Sequence, residues 1–237
     1  MGKRLISQRR GRGSKTYTSP SHRFKGEVKH YGLESVGTVI DLVHCAGHTS
    51  PLMQVAYATG DKVLALAPLG IKVGDTITNG VPSSGAEPQT GCIMPLREIP
   101  EGTLIHNIEL RPGDGGKLVR ASGTFARVVA KADGSVRVVL PSRKEKIFLD
   151  ACRASIGVLS GSGRTEKPFL KAGTRYHRMR ARNKLYPKVC GVSMNAVDHP
   201  FGGKSSAVKG RPTQSPRNAP PGRKVGKIAP RRTGRKK

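Results

Sequence analysis

The sequence predicts a mainly β protein: two small barrels in succession, with long irregular basic extensions at both ends. Three observations lead there. Short runs rich in Val, Ile, Leu and Ala alternate with close Gly, Asp and Asn turn signals. These runs are confined to the middle of the chain. The charge is segregated the other way: of the net +28, residues 1–30 supply +8 and residues 171–237 supply +18, which leaves +2 for the 140 residues between. A near-neutral body thus carries two polycationic arms. Such arms repel themselves in isolation and make sense against a dense polyanion, for which nucleic acid is the natural candidate.

The elements follow in order. Residues 1–36 form a basic N-terminal arm in which Gly and Ser alternate with Arg and Lys, and no period of 2 or 3.6 persists. It reads as irregular structure that orders on binding. From Gly37 the character changes. Segments 37–43, 52–58, 62–67 and 75–78 read as short strands, with Gly60-Asp61 as a hairpin turn. Close-spaced strands of this kind suggest an OB-like barrel over 37–83. The Pro/Gly/Ser-rich stretch 81–91 is the best domain boundary.

A second β set occupies 104–110, 117–121, 124–131, 135–140 and 146–149. Asp133-Gly134 is a strong hairpin signal. Val136, Val138 and Leu140 share one face of their strand and Arg137 takes the other. Five short strands suggest an SH3-like domain over 84–170, with a brief helical turn near 150–154 and little helix elsewhere. Beyond it, residues 171–237 form a basic Gly/Pro-rich extension with no core-forming period. Fully extended, it spans on the order of 200 Å.

Composition excludes several classes. The longest apolar runs are about eight residues, against the roughly 20 that a membrane helix needs. The basic N-terminus has no apolar stretch behind it and does not read as a secretory signal. Neither arm has the apolar face of an interfacial helix. Four scattered cysteines without a CxxC pair fit free thiols in a reducing compartment. The expected setting is cytoplasmic. His44, Cys45 and His48 form an H-C-x-x-H cluster, but a structural zinc site needs a second ligand pair and none is evident, so no metal is assigned. GSGRTEK (161–167) lacks the ending of a phosphate-binding P-loop. RPGDGGKL (111–118) lacks an EF-hand's spacing and reads as a tight turn.

The candidate RNA-binding residues concentrate in the arms. Lys171, Arg175, Arg178, Arg180, Arg182 and Lys188 are interleaved with Tyr176 and His177. Cations neutralise phosphates and release counterions, while rings and guanidinium planes stack on unpaired bases. A merely solvated charge run would carry acids as well, and Asp198 is the only one in this arm. Further candidates are Arg9, Arg10, Arg12, Arg23, Arg120, Asn195, His199, Gly202, Gly203, Lys204, Arg217, Arg223, Lys224, Arg231 and Arg232. Asp198 beside His199 suggests acid–base work. Adjacent residues of an extended chain point apart, however, and no nucleophile accompanies them. A neutral His199 hydrogen-bonded to RNA or backbone is the preferred reading, and no catalytic residue is assigned.

The stretches RPGDGGKLVRASGTFA, LPSRKEKIF, DACRASIG, GRTEKPFLKAG, GVSMNAVDHPFGG and NAPPGRKVG, with MGKRLISQRRGRGS and SPSHR at the start, cover most of the chain. In that order they resemble the universal ribosomal protein two family of the large subunit, in its archaeal or eukaryotic-type branch. The resemblance implies an OB-like and an SH3-like domain gripping large-subunit rRNA, and a C-terminal extension threading into rRNA toward the peptidyl transferase region. It implies a structural constituent, not an enzyme, that supports subunit association and tRNA binding. Its implied partners are rRNA, other ribosomal proteins, the small subunit at a bridge and, indirectly, tRNA, with no membrane or small-molecule substrate. His199 falls on the family residue linked to support of peptide-bond formation. No cofactor is implied beyond Mg2+ ions that could bridge protein and rRNA. Two positions depart from the pattern: Lys204 stands where a third glycine is expected, and residues 44–48 lack the expected acidic and arginine residues. The alternative function is a general RNA-binding or chaperone protein outside the ribosome.

Overall fold

The computed structural model describes residues 2–81, 89–203 and 213–230. These fall into two compact units, one formed by Ser21–Lys171 and the other by the described parts of Met1–Pro20 and Ala172–Lys237.

Ser21–Lys171 is mainly β, as the sequence predicts. Its strands are β1 (Ser35–Val43), β2 (Leu52–Tyr57), β3 (Lys62–Leu66), β4 (Thr76–Asn79), β5 (Ile93–Pro95), β6 (Leu104–His106), β7 (Ala126–Ala132), β8 (Ser135–Val139), β9 (Glu145–Leu149) and β10 (Arg153–Ile156). They form one sheet in the order β3-β2-β1-β4-β5-β10-β6-β7-β8-β9. Every pairing is antiparallel except β4 with β5, which meet in parallel at Asn79 and Ile93. The β7–β8 hairpin turns through Asp133-Gly134, as expected, with Ala132 opposite Ser135. Gly134 takes a φ of 71°, a left-handed conformation that glycine adopts without a Cβ penalty. Along β8, Val136 and Val138 are buried and Arg137 is exposed, so the period of two sets the inner face.

The apolar side chains collect in three clusters. One gathers residues of β1–β4, including Val39, Met53, Val55, Tyr57 and Ile77. A larger one gathers residues between 92 and 156, including Leu96, Ile105, Val128, Val138, Phe148 and Ile156. The third joins Val28, Cys45, Leu52 and Leu66 to Leu159.

The structure differs from the expected strands in three places. The strand expected over 104–110 stops at His106, because Asn107 has a φ of 49° and cannot continue an extended run. The strand expected over 117–121 is reduced to a bridge between Ile108 and Leu118. The turn expected over 150–154 is confined to Asp150–Ala151, closed by the Cys152 N–H on the Leu149 carbonyl at 3.1 Å, because Arg153–Ser155 already pair with Pro95–Ile93 in β10.

The change of direction after β6 is organised by a buried carboxylate. Glu109 is fully buried and accepts the backbone N–H groups of Gly113 (3.2 Å), Gly115 (3.1 Å) and Arg153 (2.9 Å). Arg153 Nη2 lies 3.2 Å from Glu109 Oε1, and its Nη1 donates to the Tyr31 carbonyl at 2.6 Å. Asp114 closes the same turn. Its partial burial opposes ionisation, but the N–H groups of Gly116, Leu110 and Arg111 outweigh this and hold its carboxyl below the usual range. Arg120 donates to the carbonyls of Gly116 (2.8 Å) and Val28 (3.0 Å).

Two imidazoles are buried beside this turn. His30 Nε2–H donates to the Asn107 carbonyl at 2.6 Å and His106 Nδ1–H to the Gly157 carbonyl at 2.9 Å. Burial pushes both down to about 4. Both are therefore neutral at pH 7, each with its proton committed to a carbonyl.

Two outcomes follow. Removing one partner of a buried ion pair leaves the other charge unpaired, so Glu109→Ala should cost on the order of 3–5 kcal/mol in a urea titration. The histidines protonate in the unfolded chain near 6.5 but resist it in the fold. Their contribution to stability is thus complete above that pH and lost as pH falls toward about 4. Denaturation midpoints across that window should show this slope, and His30→Gln or His106→Gln should flatten it.

Candidate nucleic-acid interface

The second unit begins with α1 (Ile6–Gly11), followed after the β unit by α2 (Ala172–Arg180) and the short pair β11 (Gln214–Ser215) and β12 (Lys227–Ile228). The sequence reads these regions as irregular. The two helices escape an apolar-period reading because neither buries a residue. Basic side chains fill the last turn of each: Arg9 and Arg10 in α1, and His177, Arg178 and Arg180 in α2. Cations there complement the carbonyl end of the helix dipole, and neither first turn carries an acid.

The N-terminal arm is tied to the segment after α2 by backbone and amide bonds. Asn183 Nδ2 donates to the carbonyls of Thr16 (2.8 Å) and Thr18 (2.7 Å), and the Arg10 guanidinium donates to the Asn183 carbonyl. Arg10 also lies over the Tyr17 ring at 5.4 Å, and Arg175 over Tyr186 at 5.1 Å. The sequence reading missed Asn183, for which no spacing signal exists.

The stretch 191–203 folds back on itself around His199. The Asn195 carbonyl accepts the N–H groups of Asp198 (3.0 Å) and His199 (3.2 Å), and the Met194 carbonyl accepts that of Gly203 (3.0 Å). His199 Nδ1 accepts the Phe201 N–H at 3.0 Å, so the ring proton sits on Nε2. Partial burial lowers the pKa of His199 and favours the neutral ring. That ring lies against the Gly191 α-carbon, where a Cβ would collide with it, and Gly202 is pressed equally closely against the Asn195 carbonyl. Asp198 faces Lys3 instead, at 3.8 Å, and the Lys3 N–H donates to the Val197 carbonyl at 2.8 Å. Asp198 and His199 are thus committed to different partners and do not form an acid–base pair. A cavity of about 290 Å³ opens beside them, lined by Lys3, Leu5, Val197, His199 and Pro200 among others.

Of the candidates, Arg9, Arg12, Arg175, Tyr176, His177, Arg180, Lys188, Asn195, Arg217, Arg223 and Lys224 are exposed in this unit, while Arg10, Arg178, Arg182 and His199 are half-buried. Gly202 is buried and Gly203 is exposed. Arg23, Arg120 and Lys171 belong to the β unit. Arg23 and Lys171 are exposed there, whereas Arg120 is bound to two backbone carbonyls. Lys204, Arg231 and Arg232 lie outside the described residues. Among the described residues, none of the ion pairs within 4.0 Å engages Arg9, Arg12, Arg175, Arg180 or Lys188, whose charges stay available.

In the H-C-x-x-H cluster His44 is exposed and Cys45 is buried. Cys45 sits in an apolar cluster, accepts the Lys25 N–H at 3.5 Å, and has His48 Nδ1 at 3.2 Å. No group of three metal-ligating side chains occurs among the described residues.

A family model described as ribosomal proteins L2, C-terminal domain, matches residues 89–224. The large ribosomal subunit protein uL2 of Methanococcus vannielii is 52% identical over 243 residues, covering 100% of both chains. That of Methanothermobacter thermautotrophicus is 50% identical, also over 100% of both. The chain belongs to the uL2 family. A third relative, uL2 of Haloquadratum walsbyi, is 50% identical over 99% of this chain and 97% of its own. All three relatives are archaeal, in keeping with the branch to which the sequence points.

The Asn183 clasp has a direct consequence. Asn183→Ala removes both donors to the N-terminal arm, so amide exchange should accelerate at residues 10–18 while the β unit keeps its protection.

Proposed function

We propose that this uL2-family chain is a structural constituent of the large ribosomal subunit that binds rRNA chiefly through its two arms. Its place is the ribosome in the cytoplasm, and it is not an enzyme. The observation that carries the proposal is charge without internal compensation: nineteen Lys and Arg against one acid over residues 171–237. That single acid, Asp198, faces Lys3. Phosphates are the complementary charge, and displacement of their counterions drives binding. Exposed Tyr176 and the Arg175–Tyr186 pair add flat surfaces for unpaired bases.

Within this reading the 191–203 fold is a positioning element. His199 is held by Phe201 and Gly191 in a neutral state, which supports the peptidyl transferase region by shape and a single donor rather than by proton transfer. Subunit association and tRNA binding would follow from the same placement. A general RNA chaperone carries the same charge but binds all RNAs alike at matched salt, whereas a ribosomal protein prefers its rRNA site by several kcal/mol.

Two measurements test the proposal. Deleting residues 173–237 should weaken rRNA binding more, and flatten its salt dependence more, than deleting residues 1–30, because about twice the positive charge is lost. Equal slopes would contradict it. His199→Ala should leave rRNA binding close to wild type but lower peptide-bond formation by reconstituted subunits, whereas equal activity would remove the assigned role.

A further inference from the structure

The strongest unassigned surface lies on the β unit, along β7–β9. Along β7–β9 the alternation buries Val128, Val136, Val138 and Phe148 and leaves the other face bare. On that second face Val129 is 40%, Ile147 64% and Leu149 55% exposed. At one end a groove of about 660 Å³ opens, lined by Phe125, Arg127, Val129, Leu140, Pro141 and Arg143 among others. Phe125 is 43% exposed. The lining has two guanidinium groups and no acidic side chain.

The chemistry of the walls specifies the occupant. Aliphatic and aromatic walls favour a flat apolar face, and two arginines without a counter-charge favour an anion attached to it. A nucleotide combines both in one residue. Duplex RNA keeps its base faces stacked inside the helix, so the ligand must be unpaired. We infer that this groove takes an unpaired RNA nucleotide, its base against Phe125 and Val129 and its phosphates beside Arg127 and Arg143. The inference rests on the RNA-binding reading above and narrows the rRNA grip expected of the SH3-like region to one groove, whose residues the sequence analysis did not single out. The charge pattern drew attention to the arms, whereas Arg127 and Arg143 sit in a segment of near-zero net charge.

The chain contains no tryptophan, so Phe125→Trp installs a unique reporter in the groove. The full-length variant is titrated with a short single-stranded oligoadenylate and, separately, with an RNA duplex of equal phosphate number. Anisotropy of labelled RNA reports overall binding, and tryptophan emission reports the groove. The single strand should quench emission to saturation and the duplex should not. Adding Arg127→Gln and Arg143→Gln should raise the quenching midpoint about tenfold, while the anisotropy midpoint, set mainly by the arms, moves by about twofold at most.

Single-strand binding with unchanged emission would overturn the inference and leave the groove to a protein segment, with the arm-based reading intact. Equal quenching by the duplex would overturn it as well. Absence of any RNA binding by anisotropy would remove the broader reading and this one together. Should Phe125→Trp fail to fold, photocrosslinking of the unaltered chain to 4-thiouridine RNA reads the same contact. Adducts within residues 123–127 support the groove, and adducts confined to the arms overturn it.

Discussion

The β unit depends on one buried carboxylate. Glu109 gathers three backbone N–H groups and one guanidinium at a point where the chain has just left β6 and the sheet still needs β10. Arg153 belongs to β10, and its other guanidinium nitrogen reaches the Tyr31 carbonyl. A single charged pair thereby fixes the glycine-rich turn 111–116, the central strand of the sheet and the segment that precedes β1. An ion pair of this kind is weak evidence for stability by itself. Its value here is conformational: the one apolar side chain of the turn, Pro112, is exposed, so the carboxylate supplies the anchor that packing does not.

The balance between body and arms follows a similar division. In the β unit apolar burial does the ordering, and basic and acidic side chains come close to balancing. In the other unit apolar burial is minor, and order comes from backbone and amide bonds such as those of Asn183, from rings stacked under arginines, and from close glycine contacts around His199. These interactions fix local shape without neutralising the cations, which leaves the charge for a partner.

This division explains what was legible in the sequence. The strands of the β unit could be read because alternation and turn chemistry are local signals, and β8 with its Asp133-Gly134 turn shows both. The strands β5 and β10 were missed. Each is only three or four residues long, and both are specified by pairing with distant strands rather than by their own pattern. The helices of the arms were missed for want of a buried face. Among the candidate site residues, charge and aromatic interleaving located the exposed cations of 171–188. Charge alone could not separate Arg120, which holds two carbonyls, from neighbours that face solvent. Glu109 and Asn183 left no trace, since a lone polar residue announces its role only through partners far along the chain.

The bonds from Lys3 to Val197 and from Arg10 to Asn183 join positions more than 170 residues apart. A ribosome makes such a chain from the N-terminus onward, and the β unit can fold as soon as it has emerged. The first twenty residues cannot find their partners until almost the whole protein has been synthesised. Throughout that interval they are an unpaired cationic thread in a cell full of nascent RNA. The architecture therefore implies a period of vulnerability built into its own production, and it ends only when the last-made third of the chain returns to claim the first.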